Sequence, residues 1–169
     1  MKCSTCSKSA AVHIRPLGPL CKKCFCRIIE KRIRKDARLK EWFKKNDHIY
    51  TDSMLSRCIV SSIVASLPKK FVKSRQSANK IVLTRTSEDI IVDSLEQIFR
   101  NKRIKSSCRK EIPLLCSLTD EEASAYAEFR KLNFRPRKKN REIKKFIDAL
   151  QDRYQETKSA LANAIEDLS

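Results

Sequence analysis

Glycine is almost missing from this chain: Gly18 is the only one in 169 residues. Loops that cradle phosphate groups need glycine, because a Cβ holds backbone N–H groups away from the phosphate oxygens. No P-loop, dinucleotide fingerprint or glycine-rich kinase loop can be written from the sequence. That excludes the ordinary nucleotide-using enzymes and leaves no nucleotide among the expected ligands. Long apolar runs are missing too. No stretch approaches the ~18–20 apolar residues of a membrane span, and Met1 and Lys2 lead directly into cysteines with no apolar leader core. Acids are scarce, with 20 Asp and Glu against 38 Lys and Arg and a formal net charge of +18. So basic a surface repels itself unless it meets a polyanion. With no span, nucleic acid is expected and membrane is not. The two histidines, His13 and His48, stand beside no nucleophile motif, and no catalytic residue is assigned.

Cysteine is what the chain has in quantity. Five of its eight lie in "CSTCSKSAAVHIRPLGPLCKKCFC", from Cys3 to Cys26. Cys3-x2-Cys6, a gap of fourteen residues and Cys21-x2-Cys24 match the spacing of zinc knuckles and ribbons. Each CxxC turn offers two thiolates to one ion, and Pro16, Gly18 and Pro19 suit a hairpin reversal that brings the pairs together. Structural zinc on Cys3, Cys6, Cys21 and Cys24 is the expectation, since a closed four-ligand site leaves no position for a reacting water. Cys26 falls on the next helix and is left out. With no apolar leader core, a cytoplasmic or nuclear protein is expected, the cytoplasm first, and there CxxC pairs read as metal ligands and not as disulfides.

The rest reads as a helix-dominated α/β chain. Phe25 to Lys45 carries an apolar stripe at three-to-four spacing through Ile28, Ile29, Ile33 and Ala37. "DHIYTD" predicts a short strand, and Met54 to Leu67 has helical periodicity with enough β-branched residues to leave a strand open. "FVKS" and "KIVLTR" predict strands. Thr86-Ser87-Glu88-Asp89 supplies cap chemistry for the helix "IIVDSLEQIFRN", and Thr119 to Glu122 makes a capping box for another. "EIKKFIDALQDRY" and "ETKSALANAIEDL" predict two closing amphipathic helices. The expected layout is a zinc module over 1–26, a basic helix over 27–46, a reduced α/β unit over 47–110 and a C-terminal helical segment over 111–169.

Three runs of one charge stand out. Lys22 to Lys45 holds eleven Lys/Arg against three acids, Arg130 to Lys145 nine against one, and Arg100 to Lys110 six against none. A single run is usually a solvated helix face; three uncompensated ones predict RNA binding. Basic residues scattered over helices and loops, with no base-reading motif, suit phosphate tracking over folded RNA better than a DNA groove. The expected contacts are Lys22, Lys23, Arg27, Lys31, Arg34, Lys35 and Arg38 on the first helix, and Arg103 and Lys105 in the connector. The loop before the closing helices adds Arg135, Arg137, Lys138, Lys139 and Arg141. Trp42, Phe25 and Phe134 suit core positions better than base stacking.

The order of segments also resembles a known family. "KCSTC…LCKKCFCRIIEKRIRK" resembles the N-terminal zinc module and first helix of the tRNA 2-thiolation proteins, the thiouridine synthetases of the PP-loop class and their partner subunits. "IPLLCSLTDEEASAYAEFRKLNF" and the closing helices resemble that family's last segment, and the four module cysteines carry over as Cys3, Cys6, Cys21 and Cys24. The departures are as telling. Where family enzymes hold ATP with Ser-Gly-Gly-x-Asp-Ser, this chain reads "IYTDSMLSR". The family's catalytic CxxC is absent, and "FRPRKKN" replaces its Cys-Pro loop. The resemblance implies a shortened, degenerate relative with its RNA-binding ends kept. The expectation is therefore a protein that is not an enzyme: a zinc-containing, non-catalytic RNA-binding factor on ribosomal RNA or tRNA. The first form of that is a ribosome-associated factor filling a tRNA site, as hibernation factors do. The alternative is a partner subunit that positions tRNA beside a sister protein of a 2-thiolation complex.

Overall fold

In a computed structural model, residues 1–102, 110–154 and 157–167 are described. The chain begins with an antiparallel hairpin, β1 (Val12–Ile14) and β2 (Gly18–Leu20), in which Ile14 pairs with Gly18. Gly18 turns the corner at φ +73°, a conformation that L side chains resist. Helix α1 (Lys22–Leu39) starts at once, three residues earlier than the apolar stripe alone indicates, so Cys24 already lies in its first turn. Phe25, Ile29 and Ile33 repeat at i, i+4, i+8 and are fully buried, while Arg27 and Lys31 between them face outward and Glu30 and Arg32 are half-buried.

The central sheet is parallel. Strands β3 (Asp47–Thr51), β4 (Lys69–Phe71), β5 (Lys80–Thr86) and β6 (Glu111–Leu115) lie in the order β4-β3-β5-β6. Helix α2 (Met54–Ile63) links β3 to β4, and α3 (Ser87–Phe99) follows β5 on the way to β6. The two crossovers step outward from β3 and β5 in opposite directions. Right-handed connection then sets α2 and α3 on opposite faces, and the apolar residues fall into two separate cores accordingly. The larger gathers the hairpin, α1, α2, the sheet residues Ile49, Val82, Ile112 and Leu114, and α4 (Asp120–Phe129). The smaller is formed by Ile91 and Val92 of α3 with Ile143 and Ile147 of α5 (Arg141–Arg153) and Ile165 of α6 (Thr157–Asp167).

Local chemistry fixes the ends. The expected capping box forms at α4, where Thr119 and Glu122 exchange bonds, and the expected cap at Thr86 is itself a reciprocal box with Asp89 at the start of α3. Ser53 caps α2 by accepting from the Ser56 N–H at 3.1 Å, which settles Met54–Ile63 as helix against its β-branched content. α1 is tied to α4 by Phe25 edge-on to Phe129 at 5.7 Å and by Arg32 held on Glu122 at 2.9 and 3.0 Å. No described helix is long and apolar enough to cross a membrane.

Candidate metal centre and nucleic-acid interface

The hairpin brings the two CxxC turns face to face. At the first, Cys3 N–H donates to the Lys8 carbonyl at 2.7 Å and Ser7 N–H returns to the Cys3 carbonyl at 3.0 Å, with Ser7 at φ +57°. At the second, Cys21 caps α1 and its carbonyl accepts from Phe25 N–H at 2.9 Å. Ser4 N–H crosses to the Pro19 carbonyl at 2.9 Å and joins the two halves. The ligand sulfurs of Cys3, Cys6, Cys21 and Cys24 all lie within 4.8 Å of one another, and Cys6 and Cys21 are 3.5 Å apart. Among the described residues this is the one such cluster of Cys, His, Asp and Glu.

Its electrostatics call for a cation. Backbone hydrogen bonding, first from Cys21, brings the Cys3 thiol down to about 6 against the opposing effect of burial. Hydrogen bonding with Cys6 and then Cys21 pushes Cys24 up to about 12. Four thiols this close cannot all ionise unaided; a divalent ion removes that conflict. The donor set is all sulfur, which suits zinc or iron. Cys26 stands outside the cluster, and burial raises its thiol pKa. His13 is exposed on β1 and takes no part.

The basic residues divide between solvent and interior. Lys22, Lys23, Arg27, Lys31, Arg34, Lys35 and Arg38 are all exposed along α1, while Arg32 turns inward to Glu122 and the Ser117 carbonyl. In the 133–140 loop, Arg135, Arg137 and Lys138 are exposed, as is Arg141 at the start of α5, and Arg137 meets Asp93 at 3.3 Å. Lys139 does the opposite. Its side chain is only 5% exposed, and its Nζ sits 2.8 Å from Asp89 and 2.7 Å from Asp120. Asp120 also accepts from the Thr86 hydroxyl at 2.7 Å, and Asp89 from Thr86 N–H at 3.0 Å. Lys139 is thus a strut that straps the loop to the first turns of α3 and α4. Beside it Lys158 of α6 pairs with buried Glu88 and, at 2.8 Å, with Asp148; burial raises the Glu88 pKa. Sequence reading took Glu88 only as part of the α3 cap and passed over Lys158; no local signal marks their pairing across 70 residues. Arg103, Lys105 and Cys108 lie outside the described residues. Trp42 and Phe25 are buried in the larger core and Phe134 packs against it, so all three serve packing.

The crevice beyond the carboxyl ends of β3 and β5 is where open parallel sheets take ligands. Here Asp52 accepts from Thr84 N–H at 2.7 Å and from the Ser56 hydroxyl at 2.8 Å, and Ser53 meets the Thr84 hydroxyl at 2.6 Å. The chain's own carboxylate holds the donors at this point.

No family model and no curated protein sequence matches the chain. Among solved structures, it is similar to the U34-tRNA thiolase NcsA from Methanococcus maripaludis with its [4Fe-4S] cluster. The TM-score is 0.73, with 14% identity, over 99% of this chain and 87% of that one. The chain has the fold of a tRNA thiolase. The likeness extends well past the end segments that carry the sequence resemblance. It also corrects one expectation: the protein whose fold is shared over almost the whole chain is an enzyme, so the reading of this chain as a non-enzyme is withdrawn. At this identity the likeness carries the fold and leaves each residue's role to its own geometry.

Proposed function

We propose that this protein is a tRNA-binding component of a tRNA-thiolation system, built on a metal-stabilised α1. The observation that carries this reading is the shared fold with a tRNA thiolase over 99% of the chain. The exposed cations of α1, Arg135, Arg137, Lys138 and Arg141 would hold the phosphate backbone, and the net charge of +18 supports a polyanionic partner. The system would work in the cytoplasm, where free thiols persist, alongside a sister protein of the thiolation complex.

The metal in this proposal is a single zinc ion. A tetrahedral ion with ~2.3 Å bonds to sulfur sets neighbouring sulfurs ~3.8 Å apart, and the spacings of 3.5 Å and up to 4.8 Å support that better than a four-iron cluster. A cluster binds each thiolate through a different iron and spreads the sulfurs more widely. The chain's residues do the rest: Cys21 and Cys24 fix the first turn of α1, and with it the direction of the basic face.

The test is binding of purified tRNA to the full chain across a salt series. Affinity should fall steeply with salt, and removing one phosphate contact should lower the log–log slope by roughly one. Sedimentation tests the ribosomal form of the reading. Co-migration with ribosomes and no affinity for free tRNA would replace thiolation with a role at a ribosomal tRNA site. Iron in place of one zinc per chain would overturn the metal assignment.

A further inference from the structure

The C-terminal ends of α1 and α2 enclose an open groove of about 620 Å³. Both helices run here toward the amino ends of β3 and β4, so the groove lies at the opposite edge of the sheet from Asp52. Its floor is apolar: Ala37, Phe43, Ile63, Val64 and Leu67. Glu41 at φ +47° turns the chain out of α1, and Trp42 N–H donates to the Ala37 carbonyl at 3.0 Å, which sets Phe43 against the floor. The Val64 carbonyl at the end of α2 is already met by Lys69 Nζ at 2.6 Å. Ser62 and Ser66 complete the lining, so the groove offers mainly surface for packing, with two hydroxyls beside it.

The rim has the opposite character. Arg34, Arg38 and Lys44 line it with Glu41 as the one acid, a formal excess of two positive charges. All three cationic side chains lack an ion-pair partner among the described residues. Arg34 and Arg38 also end a row that begins at Arg27 and continues through Lys31 and Lys35, all exposed. At ~1.5 Å rise per residue the row runs about 16 Å along α1 and leads into the groove. A cationic rail that ends in an apolar pocket is how proteins hold a single strand: phosphates on the rail, an unstacked base in the pocket. A volume of about 620 Å³ is within the ~300–1,000 Å³ range of ligand pockets.

We propose that this groove receives an unstacked nucleotide of a bound RNA strand, its base against Phe43 and Leu67 and its phosphates on Arg34, Arg38 and Lys44. With few hydrogen-bonding groups in the floor, the site takes any base by its face. The inference rests on the RNA-binding reading above and adds a single-stranded requirement to it.

The test compares a labelled oligouridylate with an RNA duplex of equal length, on the full chain and on Ser66→Trp. Ser66 is exposed at the groove, so the indole occupies part of it with every core side chain left in place, and an unchanged melting curve confirms the fold. Oligouridylate affinity should fall about tenfold or more, the loss expected for one stacked base. Duplex affinity and both salt slopes should stay within twofold. An equal fall on both RNAs, or none on either, overturns the groove proposal and leaves RNA binding standing. If the unaltered chain binds no RNA at all, the proposed function itself is lost. S66W-sensitive binding of a synthetic Glu–Leu amphipathic helix, with no effect on oligouridylate, overturns the proposal in favour of a protein partner.

Discussion

Replacing Lys139 with methionine keeps the length of the side chain and removes only its charge. The ammonium is enclosed, with its side chain 5% exposed between Asp89 at 3% and Asp120 at 11%. Taking one partner from a buried pair costs ~3–5 kcal/mol, because the remaining charge stays desolvated. The lower end applies here, since Thr86 continues to serve both acids through its N–H and hydroxyl. A loss of about 3 kcal/mol lowers the melting temperature of a chain this size by roughly 6–12 °C. The pH dependence is specific. Burial opposes charge on Lys139, but hydrogen bonds with Asp120 and then Asp89 carry its pKa above the ordinary 10.5. Its contribution is complete below 10.5 and disappears as pH rises through the raised value. Burial also opposes charge on Asp120, but hydrogen bonds with Glu88, Lys139 and Thr86 hold its pKa below 3.8, so its contribution disappears as pH falls through the depressed value. The deficit of Lys139→Met should therefore be widest between 3.8 and 10.5 and should narrow in acid. Urea titrations at several pH values measure it, with exposed Lys138→Met as the control. If the two variants unfold alike at neutral pH, the strut assignment is wrong.

Other perturbations separate the parts of the molecule. Cys21→Ser should release the metal and lower the melting temperature, read by metal analysis and calorimetry on the same sample. Arg34→Ala should reduce tRNA affinity and flatten its salt dependence while leaving stability within about 0.5 kcal/mol. Arg32→Ala, two residues earlier, should do the reverse. It strands Glu122, whose side chain is 3% exposed, but Arg32 is 29% exposed, so the loss is that of a hydrogen bond between charged groups, about 2 kcal/mol, with the salt slope unchanged. Tyr126→Phe removes the hydroxyl that donates to Glu30 at 2.8 Å, and denaturant unfolding should show a loss of about 1 kcal/mol.

The parts of this fold that are legible in the sequence are those with a local cause. The TDEE box places α4 because the cap and its reciprocal partner are three residues apart. The cysteine spacing picks out the four cysteines whose sulfurs the hairpin brings within 4.8 Å of one another, and period-3.6 patterns place most helices. The start of α1 is less legible, since Lys22 and Lys23 are polar and only the cap at Cys21 marks the boundary. Strand order and the division into two cores have no local signal, because they follow from the handedness of crossovers over tens of residues. Lys139 is the clearest failure. Nothing in the run Arg135 to Arg141 distinguishes it from its neighbours, and its acids lie 19 and 50 residues upstream. Arg32 is similar, with a partner 90 residues away.

The inward turn of Lys139 also sets how this segment can change over time. From Leu132 to Asn140 the chain has no helix or strand; Phe134 rests on the larger core and Arg137 meets Asp93 at the surface, but the buried tether is Lys139, which must reach Asp89 and Asp120. Arginine for lysine at exposed Lys138 keeps the surface charge and leaves the strut untouched. A residue inserted between Leu132 and Lys139 would carry the ammonium out of reach of both acids. The loop should therefore tolerate exchange of one cation for another at its exposed positions and hardly any change in length.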